Sequence, residues 1–128
     1  MVKGWIDASG TQHETVFDVA WSGDRQPDGD GRLPAVGNTV NLRTGSYENS
    51  IGAPQLSTTW QDPDYRAGQA AFYYVRVLQI PTARHSLLDA VALGETTAAG
   101  HPDTIQERAY SSPIWIKPSP ARPDPRDT

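Results

Sequence analysis

The sequence predicts an all-β fold: an Ig-like β-sandwich or open barrel of short antiparallel strands, with one short helix near 85–94 and a disordered Pro-rich tail. Two observations carry this expectation. First, Ala70 to Ile80 is a run of aromatic, β-branched and aliphatic side chains broken only by Arg76 and Gln79. In a strand, Phe72, Tyr74, Arg76, Leu78 and Ile80 share one face, and Ala71, Tyr73, Val75, Val77 and Gln79 share the other. Both faces are mainly apolar, as in a strand covered on both sides, so this stretch is expected at the centre of the fold. Second, eleven Gly and eleven Pro are spread along the 128 residues and cut the chain into short extended pieces with little room for helix.

The elements follow in order. Gly4 to Ala8 reads as a short first strand ended by Ser9-Gly10. His13 to Trp21 alternates, with His13, Thr15, Phe17, Val19 and Trp21 on the expected inward side. Residues 23–37 form a turn-rich loop around Asp28-Gly-Asp30-Gly31, too long for an ordinary hairpin turn. Asn38 to Arg43 and Ser46 to Glu48 are predicted as a hairpin across Thr44-Gly45. Leu56, Thr58 and Trp60 alternate in a further strand that stops at Asp62-Pro63-Asp64. Pro81 closes the central strand by removing a ladder donor. From His85 to Gly94 the spacing of Leu87, Leu88, Val91 and Ala92 turns helical, with Ser86 and Gly94 placed as caps. Glu107 to Lys117 supplies a second aromatic strand around Pro113, the expected antiparallel partner of the central one. These elements make a single β domain over 1–117, and 118–128 is an extended, unpacked Pro-rich tail.

Composition narrows the function classes. Eleven basic against fifteen acidic side chains leave a formal charge of −4, which argues against a nucleic-acid or anionic-membrane footprint. No run of roughly 20 apolar residues is present to cross a bilayer. The N-terminus lacks the apolar core of a signal peptide, and the compartment is left open. The absence of cysteine excludes disulfides, thiolate zinc sites and thiol nucleophiles.

Seven blocks, taken in order, carry a family resemblance: Phe17-Asp-Val-Ala-Trp-Ser-Gly-Asp-Arg25, Leu33-Pro-Ala-Val-Gly-Asn-Thr-Val40, Ile51-Gly-Ala-Pro-Gln-Leu56, Trp60-Gln-Asp-Pro-Asp64, Ala71-Phe-Tyr-Tyr-Val-Arg-Val77, Ile80-Pro-Thr82 and Gln106-Glu-Arg-Ala-Tyr-Ser-Ser-Pro-Ile-Trp115. Together they resemble the C-terminal portion of the bacterial proteins grouped as domain of unknown function 3604. The resemblance implies a parent several times longer, whose N-terminal part is similar to metal-dependent hydrolases with His-x-His ligands and a divalent metal. This chain has no His-x-His, and His13, His85 and His101 are isolated in sequence. Ala83-Arg84-His85 departs from the family's usual Pro-Arg-Trp. The implied partner is therefore the hydrolase-like domain, with Arg108, Tyr110, Phe72 and Tyr74 as candidate inter-domain contacts and an apolar face left open on the free domain.

Other residue groups have both a functional and a plain structural explanation. Asp24, Asp28 and Asp30 bring carboxylates together in one loop, as a calcium site needs, yet Asp and Gly are also favoured in turns for conformational reasons. Arg76 among apolar neighbours needs a carboxylate, with Asp18, Asp62 and Glu107 as candidate ion-pair partners. His13, His85, Ser22 and Asp89 could compose a nucleophile–base set, but no Gly-x-Ser-x-Gly elbow or metal-binding His pair places them together. Trp5, Trp21, Trp60 and Trp115 are expected in core packing, the alternative being a carbohydrate-stacking platform. Three functions follow in order: a non-catalytic accessory domain, a stand-alone carbohydrate-type binding domain, and a contributor to a hydrolase site completed by another chain.

Overall fold

The computed structural model describes residues 1–118; of the tail expected over 118–128, all but Pro118 lies outside the described residues. The fold is all-β, antiparallel sheets with one short helix. Its elements are β1 (Val2–Ile6), β2 (Gln12–Val16), β3 (Ala71–Tyr74), β4 (Arg76–Leu78), β5 (Thr82–Ala83), α1 (His85–Ala92), β6 (Thr104–Ile105), β7 (Arg108–Tyr110) and β8 (Ile114–Ile116). Contacts divide the chain into two compact units, one of residues 1–17, 59–76 and 110 onward, the other of 18–58 and 77–109.

The first unit is built on a four-stranded antiparallel sheet of order β2-β1-β3-β8. The expected central strand β3 is an inner strand, and β8 is its antiparallel partner, with Phe72 opposite Trp115 and Tyr73 opposite Ile114. On its other side β3 pairs with β1, Gly4 facing Phe72 and Lys3 facing Tyr73. The first hairpin is shifted from its expected limits. β1 begins at Val2 and β2 stops at Val16, and past that pair the Phe17 N–H donates to the Met1 carbonyl at 2.8 Å and the Met1 amine to the Phe17 carbonyl at 2.7 Å. Val2 and Lys3 are fully buried in this unit.

The run Ala70–Ile80 is not one continuous strand. It breaks at Val75, whose N–H donates to Ser111 Oγ (2.9 Å) and whose carbonyl accepts from Ser111 N–H (3.0 Å). The segment Ser111-Ser112-Pro113 separates β7 from β8, and Pro113 has no N–H to offer a ladder. The long apolar run therefore changes partner, β3 pairing with β8 and β4 with β7.

In the second unit, Ile80, Leu87 and Ala90 are the buried apolar residues. α1 buries Leu87 and Ala90 on one side, as its spacing predicts. Gly94, at φ +80° with its N–H bonded to the Val91 carbonyl, ends the helix as expected. The N-terminal expectation is corrected: Arg84 is the N-cap, held by its N–H on the Asp103 carbonyl at 2.9 Å, and Ser86 lies inside the first turn. β5 and β6 pair antiparallel, Thr82 opposite Ile105.

The hairpin expected over 38–48 forms a turn without strands. Asn41 and Ser46 are bridged at 2.8 Å, and further out the Thr39 hydroxyl donates to the Glu48 carbonyl (2.7 Å) and accepts from its N–H (3.1 Å). A side-chain hydroxyl thus stands where a ladder would need backbone. Gly45 here has φ +69°, and a Cβ on it would run into the Leu88 side chain. The strand expected at Leu56–Trp60 is extended chain with no ladder partner.

Candidate functional site: two faces of the four-stranded sheet

Because side chains alternate, the sheet of the first unit sorts its chemistry onto two faces. Lys3, Tyr73 and Trp5 point to one face; Gly4, Phe72, Tyr74 and Trp115 point to the other.

On the first face sits a polar network. Lys3 is 2% exposed, and its Nζ lies 2.5 Å from Asp62 Oδ2 and donates to the Asp64 carbonyl at 2.9 Å. The Tyr73 hydroxyl donates to the same Asp62 oxygen at 2.6 Å, while Asp62 Oδ1 accepts the Asp64 N–H at 2.9 Å. The ammonium also lies 5.1 Å from the Trp5 ring and 5.9 Å from the Tyr73 ring, within cation–π range. Trp60 packs between Phe17 and Tyr73 at centroid distances of 5.0 and 6.3 Å. Burial pushes the Asp62 carboxyl up, but the hydrogen bonds from Lys3, Tyr73 and Asp64 outweigh it and the net shift is downward. Burial, with Asp62 beside it, raises the Tyr73 phenol well above its ordinary value. Both carboxylate oxygens are engaged, so the network is satisfied internally and suits a structural role.

Asp62 was a candidate partner for Arg76, but its observed partner is Lys3. The Asp62-Pro63-Asp64 turn supplies both the carboxylate and the carbonyl that receive this lysine. The expected first strand began at Gly4 and so left Lys3 out; the signal was available in the alternation Lys3, Trp5 on one side of the strand. Among the described residues the ion pairs are Lys3–Asp62 and Asp7–His13, and Arg76, Asp18 and Glu107 are in neither. Arg76 is half-buried in β4; Asp18 and Glu107 are exposed.

The Asp7–His13 pair ties the exposed turn between β1 and β2 to the start of β2. Asp7 Oδ2 meets His13 Nε2 at 2.8 Å, and Asp7 Oδ1 accepts from the Ser9 N–H, the Ser9 hydroxyl and the Thr11 N–H. These bonds, led by that of Ser9, hold the Asp7 carboxyl well below the usual range. The His13 ring stacks on Trp5 at 5.1 Å. Ser9 turns its hydroxyl to the carboxylate and not to the imidazole, so Asp, His and Ser do not form a nucleophile–base chain. Ser22, another candidate hydroxyl, donates to the Ile51 carbonyl at 2.8 Å.

Of the loop carboxylates, Asp28 Oδ1 accepts from the backbone of Asp30 (3.0 Å) and Arg32 (2.8 Å), the bonding of an Asx turn. Asp24 and Asp30 are exposed. Among the described residues no three His, Cys, Asp or Glu side chains gather in a way that could hold a metal ion.

The second face carries an aromatic row. Phe72 lies 5.2 Å from Trp115 and 6.3 Å from Tyr74, and Tyr74 lies 6.1 Å from Tyr110. Phe72 and Tyr74 are half-buried, while Trp115 is 66% and Tyr110 59% exposed. Gly4 makes room for the row, since a Cβ there would fall inside the Phe72 ring. Three of the four expected inter-domain residues, Phe72, Tyr74 and Tyr110, are therefore side by side; Arg108 is exposed on β7. Trp115 departs from the core position expected of it, because among the described residues β8 is a three-residue edge strand with a neighbour on one side only. Trp5, Trp21 and Trp60 are half-buried.

No helix among the described residues is long and apolar enough to cross a membrane. No curated protein and no solved structure matches the chain. The family match covers residues 1–118, and through it the chain belongs to the family described as Protein of unknown function (DUF3604).

Proposed function

We propose that this chain is a non-catalytic accessory β domain that packs, through the aromatic face of its four-stranded sheet, on a metal-dependent hydrolase-like domain of a longer family member. The observation that supports it is the row Trp115, Phe72, Tyr74 and Tyr110, two of whose rings are more than half exposed. Clustered exposed aromatics are the kind of surface that docks, since Trp and Tyr bring large contact area at low entropic cost. The polar residues on the opposite face are engaged with one another, which fits a domain that contributes packing and not chemistry.

The test is to express the hydrolase-like domain of a longer family member and titrate it with this chain by calorimetry. A complex that Trp115→Ala weakens more than tenfold, about 2 kcal/mol for an interface anchor, is expected. No binding, or binding that neither Trp115→Ala nor Tyr110→Ala alters, overturns the proposal.

The exposed Trp115 ring also favours a second reading, a carbohydrate-binding domain. That function calls for two or more exposed Trp in one plane, and the other three are half-buried. Shifts of the Trp115 indole signal on addition of neutral oligosaccharides, in the absence of any protein partner, would move it to first place.

A further inference from the structure

Two segments of the second unit read as strands in sequence yet have no sheet to join. Val19 and Trp21 continue the alternation that starts at His13, and Leu56 and Thr58 alternate ahead of Trp60. In the structure residues 18–21 and 56–58 lie in no helix, turn or ladder. Among the described residues their backbone N–H and C=O groups make no hydrogen bond. Between the two segments runs an open groove of about 240 Å³, lined by Val19, Ala20, Trp21, Leu56, Ser57 and Thr58. We infer that this groove is a strand-insertion site: it takes an extended segment of a partner polypeptide, apolar at alternate positions and basic at one end.

The unpaired backbone decides the class of occupant. Most main-chain donors and acceptors of a folded protein are paired, and two neighbouring rows of them are free here. An extended peptide laid between the walls, about 4.8 Å from each, meets both rows at once, as in strand addition to a sheet. A small ligand does not fit this description, since such ligands sit in clefts that bury most of their surface, and this groove is open to solvent. The walls are tied at one end. There the Ser22 hydroxyl donates to the Ile51 carbonyl (2.8 Å), Arg25 Nε to the Ser22 carbonyl (3.1 Å) and the Trp21 indole N–H to the Arg25 carbonyl (2.7 Å). From that tie the two walls lead away in opposite chain senses, so an inserted strand runs parallel to one and antiparallel to the other.

The lining sets the side chains of the occupant. Val19, Trp21 and Leu56, the last 49% exposed, offer apolar contact, while Ser57 and Thr58 offer polar contact. Asp18, next to Val19, is exposed and belongs to neither ion pair, so a Lys or Arg at that end of the occupant meets a carboxylate. A second folded copy of this chain does not supply the strand. An inserted strand uses both of its edges, and β2 and β8 have already given one edge to β1 and β3. The groove lies in the second unit, so none of this rests on the aromatic row of the first.

The test adds to the full-length chain a pool of short peptides with Val, Ile, Leu or Phe at every second position, Thr or Ser between them, and Lys at one end. Insertion predicts that amide exchange slows by roughly tenfold within both 19–21 and 56–58, while Gly4 and Tyr73, already in ladders, are unchanged. The same pool with alternate peptide nitrogens methylated, or with Glu in place of Lys, is expected to protect less. No slowing, slowing at one wall only, or protection indifferent to both changes overturns the inference. Slowing that needs no peptide and grows with protein concentration means exchange of segments between copies, and also overturns it. Trp115→Ala is expected to leave the peptide effect unchanged, so this outcome is read separately from domain binding at the aromatic face.

Discussion

Lys3 in β1 and Asp62 in the turn ahead of β3 meet as a buried ion pair with Tyr73 as a third member. Removing one partner of such a pair leaves an uncompensated buried charge, which costs about 3–5 kcal/mol. Lys3→Met is expected to lower stability by that amount in urea unfolding. The double variant Lys3→Met with Asp62→Leu is expected to recover much of it, because neither charge is then stranded. Equal losses for the single and double variants would show that packing of the lysine stem, and not the charge, dominates.

The same network sets a pH dependence with two edges. The Asp62 carboxyl is depressed in the folded state, so its stabilisation is present above the unfolded value of 3.8 and is lost as pH falls through the lower folded value. Tyr73 is raised, so its contribution is fully present below the unfolded value of 10.0 and is lost as pH rises through the higher folded value. Unfolding midpoints are expected to be flat with respect to these groups between those limits and to drop below about pH 4. Asp62→Asn should flatten the acid edge, and an unchanged edge would assign it to other carboxylates.

Gly4 is expected to be intolerant of any side chain. A methyl group there falls on the Phe72 ring, which is held between Trp115 and Tyr74, so Gly4→Ala should cost about 1–3 kcal/mol by overpacking. The change should also shift the Trp115 indole signal, because the displaced ring is its neighbour. A normal Trp115 signal with unchanged stability would mean that the ring has room to move.

Ser111→Ala is expected to cost about 1 kcal/mol, since it takes from Val75 N–H its side-chain acceptor. Amide exchange at Val75 should accelerate while that of Tyr73, within the β3 ladder, stays slow. Uniform acceleration across β3 would instead mean that β3 and β8 separate together.

Trp115→Ala should change stability little, about 1 kcal/mol or less, because the ring is mostly solvent-exposed. Binding of an apolar dye to the folded protein should fall in the same variant. A large loss of stability would place Trp115 in the core after all.

Much of the fold was legible in residue order. The apolar run at 70–80, the aromatic segment after 107 and the helical spacing at 85–94 determined an inner strand, its antiparallel partner and α1. Alternation alone determined that Phe72 and Tyr74 share a face, because the period of a strand is two. The sequence could not show where an apolar run changes partner. That was decided by Ser111 and Pro113 in the segment between β7 and β8, which interrupts the ladder opposite Val75. Nor could it show that Lys3, near the chain start, is buried: a lysine reads as solvated until a carboxylate, a carbonyl and two rings are brought around it from residues 5, 62, 64 and 73. Trp115 inverts the lesson. Its composition and its place in a strand are those of a core residue, but the exposure of a side chain depends on how many strands lie beside it, and only the tertiary structure places β8 at the edge.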